Sequence, residues 1–257
     1  MKRINGMSVA ALLLLMGPAV AAQPAVAPSA PVQPAQGQPG SVLEPAAIAT
    51  LDRMGAYLRT LTNWEVRSDA TTEEVFDNGQ KLQFLQRTTY TVALPNRMKL
   101  DIVGDRTHRQ VWLDGKTMTV AGLGVKKYTQ LAVTAPVGEV VRVAADDYGI
   151  NLPLLDLFLW GSPDGAVQKP SSGFRVGDAR IGDTAVGHYA FRQPGVDFQL
   201  WIEEGARPLP RKMVITNTEH PAQPQYVAYF TWNLAPAIRA DSFTFNPAGF
   251  TRLDAAK

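Results

Sequence analysis

The chain has no cysteine among its 257 residues. That absence excludes a disulfide framework, a thiolate-held zinc or iron–sulfur centre, and the acylated cysteine of a lipoprotein anchor. Histidine is nearly as scarce. His108, His188 and His220 fall in different expected strands or loops, and no pair stands at the i, i+4 spacing of a helical metal site. No G-x-S-x-G elbow occurs. Gly122-Leu123-Gly124-Val125-Lys126-Lys127 lacks both the spacing and the following helix of a phosphate-binding loop. The neighbours Asp146 and Asp147 point apart on a helix, and Glu203-Glu204 beside Gly205 suits a hairpin tip, so neither pair makes a catalytic dyad. The expectation is a non-catalytic protein with no cofactor and no metal.

An excess of charge of one sign is missing as well. Lys and Arg number 25 against 23 Asp and Glu, a formal net charge of +2. A near-neutral chain has no overall electrostatic reason to seek nucleic acid or anionic membrane surfaces.

Long apolar runs are confined to one place. Met1-Lys2-Arg3 is a basic start, and Met7 to Met16 is an apolar run too short to span a bilayer. Ala19-Val20-Ala21-Ala22 then supplies small residues where a signal peptidase cuts. We expect a signal peptide over 1–22, cleaved after Ala21 or Ala22, and a periplasmic product with no stable membrane insertion. Loss of Lys2 and Arg3 brings the charge close to zero. Residues 23–42 are rich in Pro, Ala, Gln and Gly, which cannot bury enough surface to offset ordering, and are expected to form a disordered spacer. With no second linker and no internal repeat, 43–257 reads as one domain.

That domain opens with a helix. Ser41 is placed to cap it, Pro45 suits its first turn, and Ile48, Leu51, Met54, Leu58 and Leu61 form one apolar stripe. The period then changes to two. Strands are expected over Trp64–Phe76 and Lys81–Leu94 around the turn Asp77-Asn78-Gly79-Gln80, with further strands near Met98–Ile102, Val111–Leu113, Met118–Val120 and Lys127–Leu131. Helical spacing returns over Pro136–Tyr148 and in the strongly apolar Leu152–Trp160. Strands resume at Phe174, then over Val186–Gln193, Asp197–Glu203, Pro210–Asn217 and Tyr226–Asn233, and Phe243–Pro247 closes the domain. The fold class is α+β. An antiparallel sheet this long must curl, split or close. The simplest form is a strongly curved half-barrel whose helices cover the concave side.

Trp112 stands between Val111 and Leu113, and Trp201 between Leu200 and Ile202, so both faces of these strands are apolar. Either the second face is covered or it lines a cavity, and that cavity is filled by side chains or holds a ligand. Candidate cavity or lid residues are Trp112, Met118, Leu154, Leu157, Phe158, Trp160, Trp201, Met213, Phe230 and Trp232.

Several segments resemble the LolA/LolB lipoprotein carriers. Leu94-Pro95-Asn96 and Val111-Trp112-Leu113-Asp114-Gly115-Lys116-Thr117 are similar to their early hairpins. Phe198-Gln199-Leu200-Trp201-Ile202 with Pro208-Leu209-Pro210-Arg211-Lys212 is similar to a late hairpin, and Phe243-Thr244-Phe245-Asn246-Pro247 to the closing strand. A set of periplasmic proteins of unknown function sharing that fold matches more closely, including Tyr148-Gly149-Ile150-Asn151-Leu152-Pro153-Leu154. The resemblance implies an eleven-stranded LolA-like half-barrel with a helical lid over an apolar cavity. Its implied partners are a lipid, an acyl chain or a lipidated protein. It departs at Leu94, where the LolA carrier has an arginine that ties the lid shut, and in the missing cysteine that the LolB receptor acylates. The alternative function is an envelope protein-interaction or sensing module on the same fold, and the third is a hydrolase with no local motif.

Overall fold

A computed structural model describes residues 42–133, 136–138, 140, 153–161, 169–239 and 241–253. The chain divides into units 1–38 and 39–257. The expected signal peptide, nearly all of the spacer, and most of the Pro136–Tyr148 helix lie outside the described residues.

Helix α1 (Pro45–Thr60) begins with proline at its first turn, where a missing N–H leaves nothing unpaired. Glu44, not Ser41, holds the cap position, and it makes no side-chain cap bond. The entry to α1 is fixed instead by the sheet edge. Glu44 N–H donates to the Gly173 carbonyl at 2.8 Å, and the Glu44 carboxylate accepts from Arg175 N–H at 3.1 Å. After α1 come β1 (Asn63–Val75), β2 (Lys81–Ala93), β3 (Arg97–Gly104), β4 (Thr107–Leu113), β5 (Thr117–Gly122) and β6 (Lys127–Ala132). Helix α2 (Pro153–Leu159) follows, then β7 (Ser172–Ile181), β8 (Thr184–Gln193), β9 (Val196–Glu203), β10 (Pro210–Asn217), β11 (Gln225–Asn233) and β12 (Thr251–Arg252).

All twelve strands form one open sheet in the order β12-β6-β5-β4-β3-β2-β1-β11-β10-β9-β8-β7. Neighbours pair antiparallel except β12, which lies parallel to β6 through Thr251 and Arg252. The crossover from β6 to β7 carries the chain to the far edge, and β11 returns to the free side of β1. The strands therefore grow outward from a central β1–β11 pair. The tight turns use the residues their geometry needs: Gly79 and Gly115 have φ of 80° and 99°. Asp114 holds the second turn by accepting from the N–H groups of Lys116 and Thr117.

Register sorts the side chains into two faces. One face carries Trp64, Val66, Ser68 and Ala70 of β1, which pair with Val92, Tyr90, Thr88 and Gln86 of β2. It continues through Met98, Leu100 and Ile102 to Leu113 and Val111 on one side, and through Phe230 and Ala228 to Met213 and Leu200 on the other. The apolar residues among these share a buried cluster with Ala47, Leu51, Met54 and Leu58 of α1 and with Leu154, Leu155, Leu157 and Trp160 of α2. This is the helix-bearing face.

The opposite face is polar over much of its area but has an apolar patch on β4–β6, covered by the C-terminal segment. Phe245 packs on Trp112 at 4.8 Å and on Tyr128 at 4.9 Å between ring centroids, and Phe250 meets Phe245 at 5.3 Å. Phe243 of the same segment is buried too. The expected closing strand over Phe243–Pro247 is therefore a turn and loop, and pairing begins only at Thr251. The resemblance implied a closing strand here, but the aromatic residues instead cover a patch on the sheet.

If this segment belongs to the core, Phe243→Ala costs about 3–5 kcal/mol in urea unfolding. Arg239→Ala, which breaks the exposed Arg239–Asp241 pair, stays within about 0.5 kcal/mol of the parent.

Candidate functional site

The helix-bearing face gathers most of the residues singled out from the sequence. At the end of β1 beside α2, Trp64 stacks on Phe158 with centroids 4.6 Å apart and planes 14° from parallel. Trp232 of β11 meets Trp64 at 5.8 Å and Phe158 at 6.1 Å. Phe158 thus sits on a floor of two indoles. Trp232 Nε1 donates to the Pro210 carbonyl at 2.8 Å, whereas Trp64 Nε1 is buried with no partner among the described residues.

Helix α2 is seven residues long, too short to be stable by itself, so its position depends on what it packs against. Leu154, Leu155, Leu157 and Trp160 are buried, and Phe158 is half-buried. Its C-terminal end is tied to α1 by polar contacts. Trp160 Nε1 donates to the Asp52 carboxylate at 2.9 Å, and the Arg59 guanidinium donates to the Trp160 carbonyl. Gly55 makes the close approach possible, because a Cβ there would lie 2.6 Å from the Trp160 carbonyl oxygen. Asp52 and Arg59 lie off the apolar stripe, and the sequence alone assigned them no role. Their polar side chains tie two helices separated by about a hundred residues of chain, and no local pattern records that.

Polar groups lie inside this apolar layer. Tyr90 and Tyr226 face the helices, and burial raises the pKa of both phenols. Asp156 of α2 is exposed by area, yet the protein packed around it desolvates its carboxyl and raises its pKa. It lies near enough to Tyr90 to push that phenol up further. Ser68 is buried on the same face.

Met118, Met213 and Phe230 lie on the same face and are buried. Trp112 and Trp201 do not share it. Strand alternation sends both to the opposite side, Trp112 beneath Phe245 and Trp201 against the His188 ring at 4.0 Å, with Lys212 over its indole at 4.4 Å. Neither can line a space beneath α2. The apolar alternation around these tryptophans signalled two covered faces without showing what covers each.

The histidines serve the opposite face and a turn. His108 contacts Asp101, His188 contacts Gln199 with its pKa lowered by burial, and His220 Nδ1 accepts from Ala222 N–H. Among the described residues no group of three His, Asp or Glu could hold a metal ion, and no helix is long and apolar enough to cross a membrane.

A family model described as predicted periplasmic protein (DUF2092) matches residues 47–252. No curated protein matches the chain in sequence. Among solved structures it is similar to an uncharacterized conserved protein from Thermus thermophilus, at 10% identity and a TM-score of 0.46 over 81% of this chain and 99% of that one. It is similar also to the lipoprotein LppX from Mycobacterium tuberculosis, at 11% identity and 0.43 over 76% and 100%. A LolA superfamily protein from Nitrosomonas europaea matches at 11% identity and 0.39 over 77% and 97%.

The raised pKa of Asp156 sets a sign. The folded chain binds this proton more tightly than the unfolded chain, so the stability it contributes is full at low pH and falls as pH rises from the ordinary aspartate range through the folded pKa. Asp156→Asn is expected to melt above the parent at neutral pH, and the difference should close on acidification. A constant difference across that range would contradict this.

Proposed function

The chain belongs to the DUF2092 family of predicted periplasmic proteins, and from that premise we propose that it is a non-catalytic binding or carrier protein for a lipid, an acyl chain or a lipidated partner. The ligand occupies an apolar space between the helix-bearing face and α2. In this reading the sheet is curved, the helices lie over its concave side, and α2 is the movable lid. The first 22 residues are a cleaved export signal and the Pro-rich spacer follows it.

The observation that carries the reading is Phe158. A side chain from a seven-residue helix covers a floor made of Trp64 and Trp232, and the helix is tied down through Trp160 at one end. Swinging α2 away exposes an apolar aromatic surface without breaking any strand pairing. An acyl chain can replace Phe158 there. Burying methylenes is favourable by about 0.8 kcal/mol each, so a dozen give about 10 kcal/mol before ordering costs. Micromolar binding requires about 8 kcal/mol.

The test is Leu157→Asp combined with Phe158→Asp, read by titration with a fluorescent fatty acid and by circular dichroism. We expect the fold to be kept and binding to weaken at least tenfold. The milder Phe158→Ala, which opens the floor without adding charge, is expected to bind as well as the parent or better. Unchanged binding in a folded double variant would reject α2 as the lid.

A further inference from the structure

The opposite end of the helix-bearing face carries a feature that the lid does not use. Arg109 of β4, Gly122 of β5 and Lys127 of β6 stand side by side in register. The two cations are two strand spacings apart, roughly 10 Å at the backbone, with a residue lacking a side chain between them. Neither cation makes an ion pair or side-chain hydrogen bond among the described residues. Their register neighbours Ile102 and Thr251 carry no negative charge.

A cavity of about 250 Å³ opens at this point, with Arg109 and Lys127 in its lining. Val120, Val125 and Leu253 make it mainly apolar, and Val125 folds back over Gly122 so closely that a Cβ there would lie 2.8 Å from its methyl. Thr129 also lines it, and its hydroxyl is buried with no hydrogen-bond partner among the described residues. A buried hydroxyl without a partner loses the hydrogen bonds it makes to water. Among the described residues, two cations without an ion pair, a hydroxyl without a partner and apolar walls form a donor set that lacks an acceptor.

We propose that Arg109, Lys127 and Thr129 bind the anionic head group, a carboxylate or a phosphate, of a single-chain amphiphile whose first methylenes lie against Val120, Val125 and Leu253. The proposal rests on the amphiphile-binding reading above and gives its ligand a charge. The guanidinium and ammonium supply charge-assisted hydrogen bonds, and the hydroxyl supplies a third donor from the sheet. Near-zero net charge for the whole chain does not oppose this, because the field is local.

The test is calorimetric titration of the full mature chain with octanoate, octyl phosphate, octanol and inorganic phosphate, at low and at moderate salt. Both octyl anions are expected to bind about tenfold tighter than octanol, with the advantage shrinking as salt rises. Arg109→Gln with Lys127→Gln should remove that advantage and leave octanol unchanged, and Thr129→Val should weaken the anions alone. The two cations are exposed, so the folding of their variants is read directly by circular dichroism. The ratio of octanoate to octyl phosphate affinity separates a carboxylate site from a phosphate site. Equal binding of octanol and octanoate, or a double variant that keeps the preference, would overturn the head-group site and leave the carrier reading standing. Inorganic phosphate binding as tightly as octyl phosphate would overturn the amphiphile class. No binding of any octyl compound would overturn both readings.

Discussion

A single sheet with apolar residues on both faces must find two covers from the rest of its chain. The strands alternate their side chains strictly, so each face is a separate demand. The helix-bearing face is met by α1 and α2, whose leucines join the cluster around Trp64, Tyr90 and Leu100. The patch on the other face, around Trp112 and Tyr128, is met by Phe245 and its neighbours in the C-terminal segment. The order of elements follows from this. The chain enters along β7 before α1, lays down six strands, passes through α2, and builds five more from the far edge back to β1. The last segment then returns to β6, where only two residues pair.

The two covers differ in how they are held. The C-terminal segment is fixed by ring contacts to the sheet and by pairing beside β6. Helix α2 is held by apolar packing and by two polar contacts through Trp160, with Gly55 permitting the approach. It also brings a desolvated carboxyl, Asp156, into the neighbourhood of a buried phenol. A helix built only for stability would place an apolar or freely solvated residue there. The indole nitrogen of Trp64, without a partner among the described residues, lies in the same region. These departures from full satisfaction cluster where the proposed ligand space lies, as expected when a site trades stability for function.

Much of this was legible in the residue pattern, because period two and turn chemistry are local. The span Pro210–Asn217 was read with the bounds observed, since proline and asparagine close it at both ends, and the Asp77–Gln80 and Asp114-Gly115 turns were evident from their residue types. The apolar stripe of α1 followed from spacing. What failed was non-local. Phe243-Thr244-Phe245 has the alternation of a strand, but its rings pack on the face around Trp112 and Tyr128, so it caps that face instead. Trp112 and Trp201 announced a second apolar face, yet only register shows that neither looks toward α2. Asp52 and Arg59 look like ordinary solvent-side residues until Trp160 is placed beside them. Arg109 and Lys127 carry no signal in the sequence and become a pair only through Gly122.

The central claim is that the apolar space beneath α2 takes up an amphiphile. Native mass spectrometry with lipid extraction, on protein purified from the periplasm without detergent, tests it most directly. The account predicts a bound amphiphile of defined mass, or its stoichiometric uptake when a fatty acid or lipopeptide is added. A clean protein mass with no uptake of either would contradict it.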